Sequence, residues 1–223
     1  MKKLLIALTI LAVASVAQAE ILATWNFYGT NSTGVFGDGS MAGTIVADNI
    51  DSAVLSFGAD FVASTSVNNL RANGTGWSAG GASSALDLSG GGYIQLLLTA
   101  SSGYELTVTD IAGRTAGSGT GIGGAQRWAA NSNGGAYSWV VEEGVTANDT
   151  AAAWDITDTT GSTVGLRIFA SPTAAAGSWG FAGNASAESI TINGTTQAIP
   201  EPATMSLLGL GALAMVLRRK IRK

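Results

Sequence analysis

Apolar and polar positions alternate with a period of two through much of the chain between residues 20 and 199. Over Ile21–Phe27 the alternation places Ile21, Ala23, Trp25 and Phe27 on one face. From Tyr93 to Ala100, Ile94, Leu96 and Leu98 share a face and Leu97 opposes them. Leu106 and Val108 alternate with Thr107 and Thr109 between Glu105 and Ile111. Val164, Leu166 and Ile168 alternate with Arg167 between Thr163 and Ala170, and Ile190 pairs with Ile192 within Ser189–Asn193. Shorter candidates are residues 53–57, 126–130, 136–141 and 179–181. Successive side chains of a strand point to opposite faces, so short alternating runs bounded by Gly, Ser, Asn and Asp predict half-buried strands. No sustained helical stripe interrupts them. The expectation is all-β: a single antiparallel β-sandwich or jelly-roll-like domain of roughly eight to ten strands. Trp25 and Trp128 sit among alternating apolar positions and are expected in its core. Trp77, in the glycine-rich segment Gly74–Gly80, is the candidate for an exposed ring and a sugar contact.

Both ends break the alternation. Lys2 and Lys3 precede an uncharged, mostly apolar stretch of 13 residues from Leu4 to Val16, and Ala17-Gln18-Ala19 follows as a small-x-small site. That order predicts a secretory signal peptide over residues 1–19, cut between Ala19 and Glu20. The apolar stretch is shorter than the ~20 residues a spanning helix needs. Near the other end, Pro200 and Pro202 make Ile199-Pro200-Glu201-Pro202 stiff and non-helical, because each proline fixes its own φ and disfavours helix in the residue before it. Residues 203–217 are then an uncharged apolar run, followed by Arg218, Arg219, Lys220, Arg222 and Lys223. As a helix the run covers about 22 Å at ~1.5 Å per residue, less than a ~30 Å hydrocarbon core. Snorkelling cations and local bilayer thinning make up such a deficit. A transmembrane helix is expected there, with the basic residues in the cytoplasm and Pro-Glu-Pro outside.

Pro200-Glu201-Pro202, the small-residue-rich apolar run with Gly209 and Gly211, and the Arg/Lys cluster resemble, in that order, the PEP-CTERM sorting signal. The resemblance covers residues 200–223. It implies a substrate of exosortase, a membrane-embedded cysteine transpeptidase or protease that cuts near the motif and removes the helix. It also implies a Gram-negative host that makes extracellular polysaccharide and biofilm. On this reading Pro200, Glu201 and Pro202 are the sorting motif, and Ala17, Ala19 and Glu20 mark the signal-peptidase site. Arg218, Arg219, Lys220, Arg222 and Lys223 orient the tail. The implied partners are signal peptidase, an exosortase-type enzyme and, before processing, the membrane, with extracellular polysaccharide a candidate. The implied route runs through the inner membrane, with transient anchoring, to the cell surface or extracellular matrix. A plain single-pass tail anchor explains the helix and charges but not Pro-Glu-Pro. Residues 84–100, 102–111, 127–131 and 163–194 further resemble the secreted β-sandwich domains common in PEP-CTERM proteins, similar in outline to jelly-roll carbohydrate-binding modules. Glu188-Ser189-Ile190-Thr191 departs from the acidic, calcium-adjacent opening that the last strand of those modules often has.

Composition narrows the chemistry. The 223 residues contain 31 Gly and no Cys or His, which excludes Ser-His-Asp and Cys-His nucleophiles, thiolate or imidazole zinc sites and disulfides. Apart from the terminal clusters, the chain keeps four cations, Arg71, Arg114, Arg127 and Arg167, against 14 of its 15 acidic residues. A body with that balance lacks the basic footprint of a nucleic-acid binder. Gly119–Gly124 fits G-x-G-x-x-G but no amphipathic helix follows, so a glycine loop is expected. Asp155–Gly161 has the composition of a turn, with Asp155 and Asp158 as weak calcium candidates. Glu142 and Glu143 are adjacent and point to opposite faces of any strand, as solvated surface. No cofactor is expected. The leading expectation is an exported, non-enzymatic surface or matrix protein, followed by a carbohydrate-binding module and then a secreted carboxylate-dependent hydrolase.

Overall fold

The computed structural model describes residues 19–29, 40–61, 69–73, 88, 92–118, 125–144, 151–171, 178–183, 185–200, 209–211 and 218. Their strands are β1 (Glu20–Trp25), β2 (Ser40–Ala42), β3 (Thr44–Ile45), β4 (Ile50–Phe57), β5 (Asn69–Asn73), β6 (Ile94–Ala100), β7 (Tyr104–Ser118), β8 (Ala125–Ser132), β9 (Ser138–Gly144), β10 (Ala151–Gly161), β11 (Thr163–Ser171), β12 (Ser178–Ala182) and β13 (Ile190–Ala198). All pairings among them are antiparallel. One sheet is ordered β3-β1-β13-β7-β12-β5, with β10 also on β7; the other is ordered β2-β4-β6-β11-β8-β9.

The alternation read in the sequence builds the core between these sheets. Ile94, Leu96 and Leu98 of β6 and Val164, Leu166 and Ile168 of β11 are fully buried, and Leu106, Val108, Ile190 and Ile192 meet them from the other layer. Each such side chain contributes about 1.5–3 kcal/mol of burial. Aromatic rings bridge the layers: Trp128 of β8 lies 5.5 Å from Trp154 of β10 and 6.4 Å from Phe181 of β12. Trp25 and Trp128 are core residues as expected, and Trp154 and Trp179 join them.

Three expectations need correction. In β1, Ile21 is exposed and Leu22 buried, because the ladder with β13 shifts register between Ile21 and Ala23. The described strands outnumber the eight to ten expected, since β2, β3 and β5 are short or lack a long apolar alternation. Residues 155–161 are the end of β10 and not a turn. Trp154 and Ile156 point inward there, but a bulge between Asp155 and Thr159 breaks the alternation beside a polar outer face.

Two chain crossings between the layers lie at one end of the sandwich. The β6–β7 turn passes through Gly103 at φ 84°, in the left-handed region that favours glycine. The β10–β11 corner is tied to it by Ala100 N–H donating to Ser162 O at 2.8 Å. Asn133, at φ 51°, accepts at Oδ1 from Ser162 N and Ser162 Oγ, both at 2.9 Å. Strand β13 finishes at this same end.

Candidate functional site

The first candidate region is the exit of the chain from the body. The ladder of β13 on β7 runs without a break from Gly194 to Ala198, which opposes Tyr104, and Ile199 N–H then donates to Gly103 O at 2.8 Å. Pro200 has no N–H and cannot extend the ladder. It is exposed. Strand β1 opposes β13 only from Glu20 (at Gly194) to Trp25 (at Ile190), so Thr195 to Ala198 pair with β7 alone among the described residues. Because β1 and β13 are antiparallel, the N-terminal end of β1 and the C-terminal end of β13 point the same way. Ala19 and Glu20 are exposed.

The second lies on the outer face of the β2-β4-β6-β11-β8-β9 sheet. Period two sends Gln95 of β6, Arg167 and Phe169 of β11, and Arg127 and Ala129 of β8 outward, opposite the core positions. Tyr93 stands one residue before β6 and Tyr137 one residue before β9. The Arg167 guanidinium carbon sits 4.1 Å from the centre of the Tyr93 ring and 3.9 Å from that of Tyr137. Arg167 Nε donates to Gln95 Oε1 at 2.9 Å, and the Tyr137 hydroxyl donates to the same oxygen at 3.1 Å. Phe169 is buried beneath this layer with Ala129, against Tyr93, Tyr137 and Leu88. Trp139 meets the Phe169 ring edge-on at 5.3 Å and is 37% exposed, with Arg127 5.6 Å from its centre. A stripe of aromatic rings and two of the body's four arginines thus crosses the sheet. Burial pushes the Tyr137 phenol above its ordinary value, opposed by the neighbouring Arg167 cation.

Residues 198–220 match the family model of the PEP-CTERM protein-sorting motif. The chain carries a PEP-CTERM sorting motif. No curated protein sequence matches the chain. Among solved structures it is similar to the C-terminal domain of a chitobiase from Bacteroides fragilis, at 15% identity over 47% of this chain and 65% of that one, TM-score 0.29. It is similar to the family 32 CBM of Clostridium perfringens NanJ in complex with galactose, at 12% identity over 65% and 92% of the two chains, TM-score 0.29. It is also similar to the CBM22-1 xylan-binding domain of Paenibacillus barcinonensis Xyn10C, at 13% identity over 82% and 100%, TM-score 0.32. The chain spans just under two thirds, 65%, of the chitobiase domain.

The PEP-CTERM motif begins where the β13 ladder ends. Of its named residues Pro200 is described, and Glu201 and Pro202 lie outside the described residues. Gly209, Leu210 and Gly211 are helical and exposed, as is Arg218; the rest of the expected helix over 203–217, and Arg219, Lys220, Arg222 and Lys223, lie outside them too. Among the described residues no helix is long and apolar enough to cross a membrane. Ala17, Trp77 and the Gly119–Gly124 loop are likewise outside the described residues. Asp155 and Asp158 are exposed on β10, and among the described residues no group of three or more acidic side chains is placed to hold a metal. Glu142 and Glu143 stand in β9, opposite Arg127 and Gln126. The fold thus brings Glu20 alongside the strand that leads into the sorting motif. The arginine–aromatic stripe was missed in the sequence. Its signal was there: Tyr137 and Trp139 are two apart, so they share a face, and Arg167 opposes an apolar alternation in a Lys-free body.

Proposed function

We propose that this chain is exported, relieved of its leader after Ala19, and handed by its PEP-CTERM motif to an exosortase-type enzyme that removes the apolar tail. The product is a non-enzymatic β-sandwich at the cell surface or in the extracellular matrix. The observation that carries this reading is the match over residues 198–220, whose Pro200 stands one residue beyond Ile199, the last described residue of β13's exit to hydrogen-bond back to the body. A protease groove takes an extended segment, and Pro200 ends the sheet ladder with nothing to unfold. The apolar run of 203–217 holds that segment at the membrane, and the basic residues after it fix its orientation. The outer-face site offers aromatic rings and hydrogen-bonding groups, which suit the binding of a ligand. Replacing both Pro200 and Pro202 by Ala in the native host tests the reading. Unprocessed chain should accumulate in the membrane fraction; processing as in the wild type would remove exosortase recognition from the proposal.

A second reading is that the body binds carbohydrate. The exposed Trp139 indole beside Arg127, and the Gln95–Arg167 pair among aromatic rings, supply the stacking surface and polar groups that a sugar requires. Affinity electrophoresis on host polysaccharide with Trp139→Ala tests it, and an unretarded wild type would count against it.

A further inference from the structure

We infer that the outer-face stripe is a subsite for an acidic sugar, a pyranose bearing a carboxylate, with Arg167 as its anion-binding group and Trp139 as its stacking surface. The inference rests on the carbohydrate-binding reading above and gives it a substrate class.

The directly opposed neighbours of Arg167 are Gln95 on β6 and Ala129 on β8, both uncharged. No carboxylate pairs with it among the described residues, in a body where acidic residues far outnumber arginines. A half-buried guanidinium is costly without a counter-charge, and here only aromatic faces and a neutral amide compensate it. The Tyr93 and Tyr137 rings lie 4.1 and 3.9 Å from its guanidinium carbon and Gln95 takes Nε, which leaves the donors on the two Nη atoms. The two Nη atoms of a guanidinium form a planar fork that matches a carboxylate bidentately.

The second observation selects a sugar over other carboxylates. Phe169 links the Arg167 cluster to Trp139: Tyr93 lies 5.5 Å and Trp139 5.3 Å from its ring centre. A ligand seated on this stripe meets a charged fork and a partly exposed indole together. A pyranose with a ring carboxylate has both complements, an apolar ring face and an acid. The negative charge of the body opposes a polyanion at long range. At physiological ionic strength that repulsion is screened over about 8 Å, whereas the fork acts at contact.

The test is affinity electrophoresis of the protein recovered after export, in gels loaded with polygalacturonate, with its carboxyl-reduced neutral counterpart, or with polyglutamate. Polygalacturonate should retard the wild type; the other two should not. Arg167→Lys keeps the charge but loses the fork, and should weaken binding about tenfold or more. Gln95→Glu sets a carboxylate beside the guanidinium as an internal competitor. It should abolish retardation while thermal unfolding stays at or above the wild-type midpoint, a result that a merely structural Arg167 would not give. Equal retardation by polyglutamate would overturn the inference in favour of charge alone. Retardation by the neutral polymer to the same extent would overturn the acidic class and leave carbohydrate binding standing. Absence of retardation by any glycan, host polysaccharide included, would remove both.

Discussion

Arg167 and Tyr137 hold each other in place on the outer face, and small residues make the room. Gly165 faces outward two residues before Arg167, and a Cβ there would run into the Asn131 carboxamide oxygen and the Tyr137 hydroxyl. Gly165→Ala should therefore displace the Tyr137 ring and destabilise the protein by about 1–3 kcal/mol, read as a lower thermal midpoint. The phenol itself reports on its burial. Its pKa is raised above the ordinary 10.0, so between the two values the unfolded chain holds fewer protons than the folded one. Stability from this group is complete below pH 10.0 and declines as pH rises through the folded pKa. Tyr137→Phe should flatten the alkaline fall of the unfolding midpoint; parallel curves for the two proteins would contradict this assignment. Little of this was legible in the sequence, where Tyr137 stood in a short strand candidate and Trp77 drew attention as the exposed ring. Partners from β6, β9 and β11 meet only through pairing across sequence separations of 42 and 72 residues.

The strands divide by how clearly they read. Those with a strict apolar alternation on their core face, β6, β11 and the first half of β7, were visible. Leu166→Ala on such a strand should cost about 2–5 kcal/mol, checked by denaturant unfolding. Bulges blurred the irregular strands: β10 was not read as a strand, while β1 was, with only the facing of Ile21 and Leu22 reversed. In β10 the shift between Asp155 and Thr159 mixes polar residues into the pattern, and in β1 the shift after Ile21 buries Leu22. The bulge of β13 has a further consequence. Its register shifts between Asn193 and Gly194, and a Cβ at Gly194 would overlap the Thr107 carbonyl and come within 2.9 Å of Leu22 Cδ1. A backbone carbonyl in a ladder cannot move aside, so Gly194→Ala should be more damaging than Gly165→Ala. A midpoint for Gly194→Ala equal to that of the wild type would show that the bulge tolerates a side chain.

At the scale of the molecule, the sandwich has a polarity. The β6–β7 turn, the β10–β11 corner and the end of β13 lie together, and β1 runs away from that end beside β13. Both termini of the body therefore face one way. Tyr93, Phe169 and Arg127 lie at the other ends of their strands, on the outer face. A tail held at a membrane would then leave the arginine–aromatic stripe turned outward. The sorting motif was the most legible part of the sequence, because prolines, an apolar run and a charge cluster act locally and need no tertiary partner. The outer-face stripe was the least legible, because it is assembled from four strands and their flanks. The measurement that bears most directly on export and sorting is the intact mass and terminal peptides of the protein recovered from its native host. The expected product begins at Glu20 and lacks residues 203–223. A chain that keeps Ala203 through Lys223 in the membrane fraction would contradict processing at the sorting motif and leave a plain tail anchor in its place.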